Sequence, residues 1–435
     1  LLKKILIILI ILAVLIGGLN VIYLCFFNPY RGTMKERVNS QPLTTILSKD
    51  EALEDLAYLI KHLEDRHPAC IDGLPKEVQL QYTKEINALS KEVSVLNLWR
   101  SGARILGKLK DAHTNIGYYT DDNRELPLTF KMMDNNLVCV TEPYKNLIVK
   151  TINDISVDEL YSIFLNQFPY ELDSHVAYNF ARLLPRKSYL AFLGLDTSSD
   201  IIFKFENASK ELEASFTFTL PLEEELSSTE EAPFVSYQID KEHSLGILTL
   251  LSCDYNNYYK DTLNKFFTEV KANNIDHIAV DLRDNGGGNS YVANEFLRYL
   301  DVTTYYTTGG VKIRYGSFLP EFEKEPITNE PYYDLLFSGD VYALTSTQTF
   351  SSAMMFANIL SDNHIGKIIG EIPGNMPASY GDILHFQTPN AKLPFTVSYK
   401  YFGRIDETKA DQPLYPDYEV AEEDALDKLY EIIEK

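Results

Sequence analysis

Apolar residues fill positions 5–27 with one clear polar interruption, Asn20. About 20 such residues span the hydrocarbon core of a bilayer, so residues 1–27 are expected to form a transmembrane anchor. Lys3 and Lys4 precede the apolar run; by the positive-inside rule the N-terminus stays in the cytoplasm and the rest of the chain lies outside. The run is long for the core of a cleaved signal peptide, and no Ala-x-Ala site follows it. Residues 28–48 are mixed and polar and read as a linker. From 49 to about 109, within a cap bounded at 49–118, the period turns helical, with Leu53, Leu56, Ala57, Ile60 and Leu63 on one stripe. This predicts a helical N-terminal cap ending in Asp111-Ala112-His113-Thr114 and a short strand-like Ile116-Gly117-Tyr118.

Residues 119–235 read as mixed α+β. Leu137 to Val140, Leu147 to Val149 and Phe216 to Phe218 have strand character, Val157 to Phe164 has helical character, and the acidic run 223–231 reads as a solvated linker. From Leu245 onward strands and helices alternate, the pattern of an α/β domain. Strands are expected over 246–250, 278–280, 341–345 and 367–370, with helices over 258–270 and 291–300. A late strand is expected through Phe395, Val397 and Tyr399, and a charged amphipathic helix over 421–435.

Two strand-to-helix junctions in this half carry residues capable of chemistry. Asp281-Leu282-Arg283-Asp284-Asn285-Gly286-Gly287-Gly288 joins an apolar strand to a helix. Glycines there let the backbone approach a ligand, and the helix start offers N–H groups and a positive dipole end. No Gly-Lys-Ser/Thr follows, which excludes a Walker loop. The second junction places Ser351 and Ser352 where a strand runs into a helix. A serine there either presents a nucleophile beside a free amide or caps the helix.

Composition narrows the classes. The chain has 435 residues, 45% hydrophobic and 23% charged, enough for a substantial core in two or three domains. A net charge of −22 argues against nucleic acid as a partner and against broad adsorption to anionic lipid. Cys25, Cys70, Cys139 and Cys253 have no metal-ligand spacing and suggest no disulfide framework, although a single pair is compatible with them.

The ordered motifs of residues 240–420 resemble those of the tail-specific, or C-terminal processing, serine peptidases, a family that includes the tricorn core protease. Gly246-Ile247-Leu248 leads in, and the glycine turn matches Asp-Leu-Arg-x-Asn-x-Gly-Gly. Thr349-Phe350-Ser351-Ser352-Ala353 lies where the family keeps its nucleophile, with Asp362 and Gly370-Glu371 at the family spacing. Pro416-Asp417-Tyr418-Glu419-Val420 matches the closing motif, and Asp111-Ala112-His113-Thr114 resembles a segment of tricorn-like members.

The resemblance implies a crotonase-like ββα spiral for a peptidase core over 236–420, followed by the C-terminal helix at 421–435. It implies Ser351 as nucleophile and the amides of Gly287 and Ser352 as the oxyanion hole. In many members a lysine acts as base, and its position here is Met376, which cannot accept a proton. His113 is therefore the candidate base, with His385 (near Asp382) and Lys400 as alternatives and Asp411 as a candidate orienting group. Residues 119–235 stand where many members carry a PDZ domain; Lys150 to Leu160 faintly resembles a PDZ segment, but no glycine-rich carboxylate-binding loop precedes it. The expected function is a membrane-anchored, extracytoplasmic serine endopeptidase acting on peptides or unfolded polypeptide without metal or organic cofactor. An inactive peptide-binding relative and a hydrolase of small esters or amides are the rival readings.

Overall fold

The computed structural model describes residues 2–207, 210–220 and 233–434; the acidic run at 223–231 lies outside them, as does the side chain of Cys25. The chain divides into two compact units. The first comprises Leu1–Asp121, Lys312–Phe322 and Tyr380–Tyr401, and the second Asp122–Val311, Glu323–Ser379 and Phe402–Lys435.

In the first unit, helix α1 (Leu2–Ile22) has 21 residues, about 30 Å at 1.5 Å per residue, which matches a bilayer core. Its Lys3–Ile22 segment has a mean hydropathy of 3.1 and no buried share, so it is long and apolar enough to cross a membrane. Helix α2 (Lys49–Arg66) opens with a capping box: Ser48 Oγ accepts the Glu51 N–H and the Glu51 carboxylate accepts the Ser48 N–H. Of the stripe seen in the sequence, Leu56, Ile60 and Leu63 are buried and Leu53 is half-buried, while Ala57 is exposed and Ala52 and Leu59 are buried in its place. Helices α3 (Lys76–Ala88) and α4 (Val95–Leu106) follow, and Trp99 of α4 is buried with its Nε1–H donating to Ile116 O at 3.1 Å.

The stretch 28–48, which reads as a linker, is tied down along its length. Met34 N–H donates to His385 O, Ser40 N–H to Tyr119 O and Gln41 N–H to Ala391 O. Its end, Ile46–Ser48, pairs antiparallel with Glu92–Ser94, a contact between distant segments that local periodicity could not announce. Ile116 makes a single bridge to Phe395, so the strand-like 116–118 is no more than that.

The second unit begins with an antiparallel sheet in the order Phe130–Met133, Asn136–Cys139, Ile148–Ile152, Ile201–Asn207, Lys210–Phe216. Helices α5 (Val157–Gln167), α6 (Asp173–Leu183) and α7 (Lys187–Leu193) accompany it. Ile201, Phe203 and Phe205 alternate into the core that these helices share. The last strand ends at Phe216, short of the expected Phe218. Helix α6 escaped the sequence reading because Tyr178, Asn179 and Arg182 interrupt its apolar positions, and α7 because it has only seven residues.

The remainder of this unit is a six-stranded sheet whose strands follow chain order: β1 (Val235–Asp240), β2 (Leu245–Leu250), β3 (His277–Asp281), β4 (Asp340–Thr345), β5 (Lys367–Gly370) and β6 (Tyr418–Glu419). Only β1–β2 is antiparallel; the other four pairs are parallel. Parallel strands need both faces covered, and they are. Leu248, Val280, Ala343 and Ile368 pack with residues of α8 (Asn257–Ala272), α9 (Tyr291–Leu297) and α10 (Ser352–Asp362). Their alternates Ile247, Ala279, Leu344 and Ile369 pack against Ala425 and Leu429 of α11 (Ala425–Ile433). Within the closing motif, Asp417 Oδ2 accepts the Ile368 N–H at 2.7 Å and Tyr418-Glu419 forms β6. Cys70, Cys139 and Cys253 are free and buried.

Asp362, placed by its spacing among the motif residues, is a structural anchor. It holds Arg404 by a two-point contact at 3.0 and 3.1 Å, both side chains being almost fully buried. Arg404 also donates to the carbonyls of Lys409, Gln412 and Pro413, which shapes the loop leading to β6. Removing one partner of such a pair leaves a buried charge uncompensated. Arg404→Met is expected to lower unfolding stability by roughly 3–5 kcal/mol, read from the urea midpoint of full-length protein. A loss under about 1 kcal/mol, the scale of an exposed pair, would contradict this assignment.

Candidate active site

Strands β3, β4 and β5 are parallel neighbours whose ends align, Asp281 opposite Leu344 and Thr345 opposite Gly370. The carboxyl ends of such strands are where α/β sheets place ligand sites. Three loops leave this edge: 282–290 from β3, 346–351 from β4 and 371–378 from β5.

The first loop is shaped by its own motif residues. Arg283 forks onto Asp281 at 2.9 and 2.7 Å and donates to Glu422 O at 2.8 Å. Asn285 is fully buried; its Nδ2 donates to Leu250 O and its Oδ1 accepts the Gly287 N–H, both at 2.8 Å. Gly287 has φ +103°, and a Cβ there would lie 2.7 Å from Ser351 Cβ and 2.8 Å from Phe350 O. Only glycine fits between this turn and Ser351.

Ser351 has φ 55° and ψ −122°, a region costly for any residue with a side chain. It occupies the cap position of α10, yet its hydroxyl makes no capping bond. The residue stands where a cap would, without doing a cap's work. Its backbone N–H instead donates to Asn375 Oδ1 at 2.7 Å. The Ser352 amide is the first of α10, among the N–H groups that lack an intrahelical acceptor, while the Ser352 hydroxyl donates to Gly288 O at 2.7 Å. The result is a strained serine on a strand–turn–helix elbow with a helix N-terminus beside it. The Gly287 amide is engaged by Asn285, so an oxyanion reaching it must share or displace that bond.

The third loop carries the residue that the sequence reading missed. Asn375 is buried, with Nδ2 donating to Met376 O at 3.1 Å and Ser379 Oγ at 3.3 Å. Met376 follows directly, its N–H donating to Glu171 Oε2 at 2.9 Å. From α6, His175 stacks on Phe350 with centroids 4.7 Å apart, its Nδ1 lies 3.2 Å from Thr347 O, and Tyr178 donates to Gln348 Oε1 at 2.8 Å. The α+β region thus supports the loops around Ser351. Pro373-Gly374-Asn375 signals a turn, but nothing local says that the asparagine reaches back to the serine.

His113 lies in the first unit. Asp111 and His67 are both fully buried there, with His67 Nε2 3.1 Å from Asp111 Oδ2. His67 Nδ1 accepts the Ala69 N–H, which leaves the proton on Nε2 to donate to Asp111. Asp111 Oδ1 accepts the His113 N–H at 2.9 Å and lies 3.8 Å from the ring Nδ1, beyond hydrogen-bond length. Thr396 donates to His113 O and Ser398 N–H donates to Thr114 Oγ1, which pins the motif to strand Pro394–Phe402. Burial raises the Asp111 carboxyl, but the His67 hydrogen bond and charge, the His113 charge and the Thr114 bond outweigh it and hold the group at about 2. Burial lowers His113 below its ordinary value against the opposing pull of Asp111, so the ring is neutral at pH 7. Of the other candidate bases, His385 stands on the exposed side of its strand and Lys400 is salt-bridged to Asp382. Asp411 is exposed in the second unit, whereas Asp111 lies 3.8 Å from His113 Nδ1. His67 was not singled out from sequence because it precedes Asp111 by 44 residues.

Residues 244–420 match the sequence profile of peptidase family S41. No curated protein sequence matches the chain. Among solved structures, mature CPAF is 14% identical with a TM-score of 0.66, over 89% of this chain and 96% of that one. Mature CPAF complexed with lactacystin is 13% identical with a TM-score of 0.64, over 89% and 97%. The photosystem II D1 C-terminal processing protease is 12% identical with a TM-score of 0.49, over 88% and 97%. At these identities the CPAF likeness speaks to fold alone.

The Asp111 and His113 shifts set a sign for acid stability. A carboxyl lowered on folding stabilises above its unfolded value of 3.8, and that contribution is lost as pH falls toward about 2. A lowered histidine acts in the same direction below 6.5, where the unfolded chain gains the proton first. Asp111→Asn is expected to be less stable than wild type at pH 7 and to lose less stability between pH 3.8 and about 2. Denaturant midpoints across that window check this, and parallel acid profiles for the two proteins would contradict it.

Proposed function

We propose, for a chain that belongs through residues 244–420 to peptidase family S41, that Ser351 is the nucleophile of a membrane-anchored serine endopeptidase. Ser351 Oγ attacks the peptide carbonyl as its proton passes to neutral His113. The Ser352 amide stabilises the oxyanion, joined by the Gly287 amide when it exchanges its bond to Asn285. Each such donor contributes roughly 10²–10³ in rate. The protonated His113 returns the proton to the leaving amine, and water then releases the acyl group from Ser351. Asp111, itself held by His67, steadies the backbone of His113 and favours its protonated form during turnover. No metal or organic cofactor takes part in these steps.

The observation that carries this reading is the Ser351 backbone at φ 55° and ψ −122° with a hydroxyl that caps nothing. The β2–β6 sheet with its helices is proposed to be a crotonase-like ββα spiral, and residues 119–235 a degenerate PDZ-like region. Peptides or unfolded polypeptide are the proposed substrates. Helix α1 anchors the chain, with the two Lys residues before it on the cytoplasmic side and the catalytic part outside. Met376, at the position of the family's usual lysine, favours one other reading, a relative that binds peptides without cleaving them.

Fluorophosphonate labelling of full-length protein in neutral detergent tests the assignment. Wild type should label, Ser351→Ala should not, and His113→Ala should label about 10²-fold or more slowly, the scale of a general base. Full-rate labelling of His113→Ala would move the base to His385 or Lys400. A folded wild type that does not label would favour the peptide-binding relative.

A further inference from the structure

A cavity of about 830 Å³ opens in the first unit where the apolar N-terminal helix ends. Its lining includes Ile22 and Phe27 from the end of that helical stretch, and Phe27 packs on exposed Phe318 with centroids 5.4 Å apart. Four cations, Arg31, Lys61, Arg66 and Arg314, line the same space against a single carboxylate, Asp65.

Two of these cations are buried with donors unspent. Arg314 is 5% exposed; Nη2 donates to Glu64 O at 3.1 Å, while Nε and Nη1 have no hydrogen-bond partner among the described residues. Arg66 is 8% exposed; Nε donates to Pro29 O and Nη2 to Arg31 O. Among the described residues its Nη1 has only Asp65, at 3.7 Å. A buried guanidinium with unused N–H groups is costly unless something accepts from it. Phosphate oxygens match the guanidinium fork. His62 adds no charge, because burial, then Arg66 and Lys61, lower it to about 3.

We propose that this cavity binds the phosphate headgroup of an anionic phospholipid, with Arg66 and Arg314 as its inner donors and Lys61 at its rim. The proposal rests on the reading of α1 as a membrane anchor. That anchor would set the cavity at headgroup depth, where aromatic residues gather at both interfaces. Tyr58, Phe27 and Phe318 supply apolar lining for the glycerol and upper chains, which free phosphate would not use. The net charge of −22 opposes adsorption over the whole surface, so the affinity comes from one local site.

Native mass spectrometry of the delipidated full chain in neutral detergent tests this, with dioleoylphosphatidylglycerol and dioleoylphosphatidylcholine as probes. One phosphatidylglycerol per chain should be retained with at least about tenfold preference, and Arg314→Gln should remove most of that preference, the loss of a charge-assisted bond. Lys61 is exposed and holds no structural bond among the described residues, so Lys61→Glu should also weaken retention without unfolding the protein. Equal retention of the two lipids, or a preference that survives both substitutions, would overturn the headgroup site. Displacement of the lipid by millimolar inorganic phosphate would identify a free-anion site and overturn the lipid assignment. Alkaline extraction of membranes reports the anchor separately: a chain that stays integral but shows no lipid preference defeats only the cavity proposal, whereas release of the chain defeats the anchor reading and this proposal with it.

Discussion

The hydrogen bond from the Ser351 N–H to Asn375 Oδ1, 2.7 Å long, holds together the part of the molecule on which the proposed chemistry depends. A serine at φ 55° and ψ −122° carries strain of roughly 1–3 kcal/mol. A buried hydrogen bond returns about 1 kcal/mol, and the surrounding packing must supply the rest. Asn375 can serve only because Met376 O and Ser379 Oγ satisfy its other end. Gly287 can approach only because it has no Cβ. The parallel order β3–β4–β5 brings these three loops to one edge, so the strain is a property of the sheet's topology and not of the serine alone.

That dependence explains which parts of the molecule were legible from sequence. The strands around Ala279, Ala343 and Ile368 could be read because both faces of a parallel sheet are buried, which leaves short apolar runs between turn residues. The glycine turn could be read because close backbone approach demands glycine. The choice between cap and nucleophile at Ser351 could not, since both put serine at a helix start; the folded chain adds only that the hydroxyl makes no capping bond. Asn375 was legible as a turn residue and no more. Asp362 was placed by its spacing, but its work, holding Arg404, is a contact across 42 residues. The capping box at Ser48 is local and explains the start of α2, whereas the pairing of Ile46–Ser48 with Glu92–Ser94 is not local and went unseen.

In the proposed mechanism the absence of a lysine at Met376 shifts weight onto the buried Asp111–His67 pair and the histidine two residues beyond it. A carboxylate buried beside a histidine donor stays ionised, as the lowered Asp111 value indicates. It would then favour a positive charge on His113, while burial opposes one until a proton arrives from chemistry. Such a group resists protonation at rest and is stabilised when it accepts a proton, which suits general-base work. The motif Asp111-Ala112-His113-Thr114 pointed to His113 as the candidate base, whereas Asp111 as its neighbouring carboxylate and His67, which bonds to Asp111, emerged only from the folded chain.

The central claim is that Ser351 Oγ forms an ester with substrate. The most direct measurement is acid quenching of full-length protein during turnover of an activated peptide ester, followed by peptide mapping with mass spectrometry. The account predicts an acyl adduct on the peptide containing Ser351, transient in wild type and absent in Ser351→Ala. Turnover of the ester with no adduct at Ser351, or with the adduct on another residue, would contradict it.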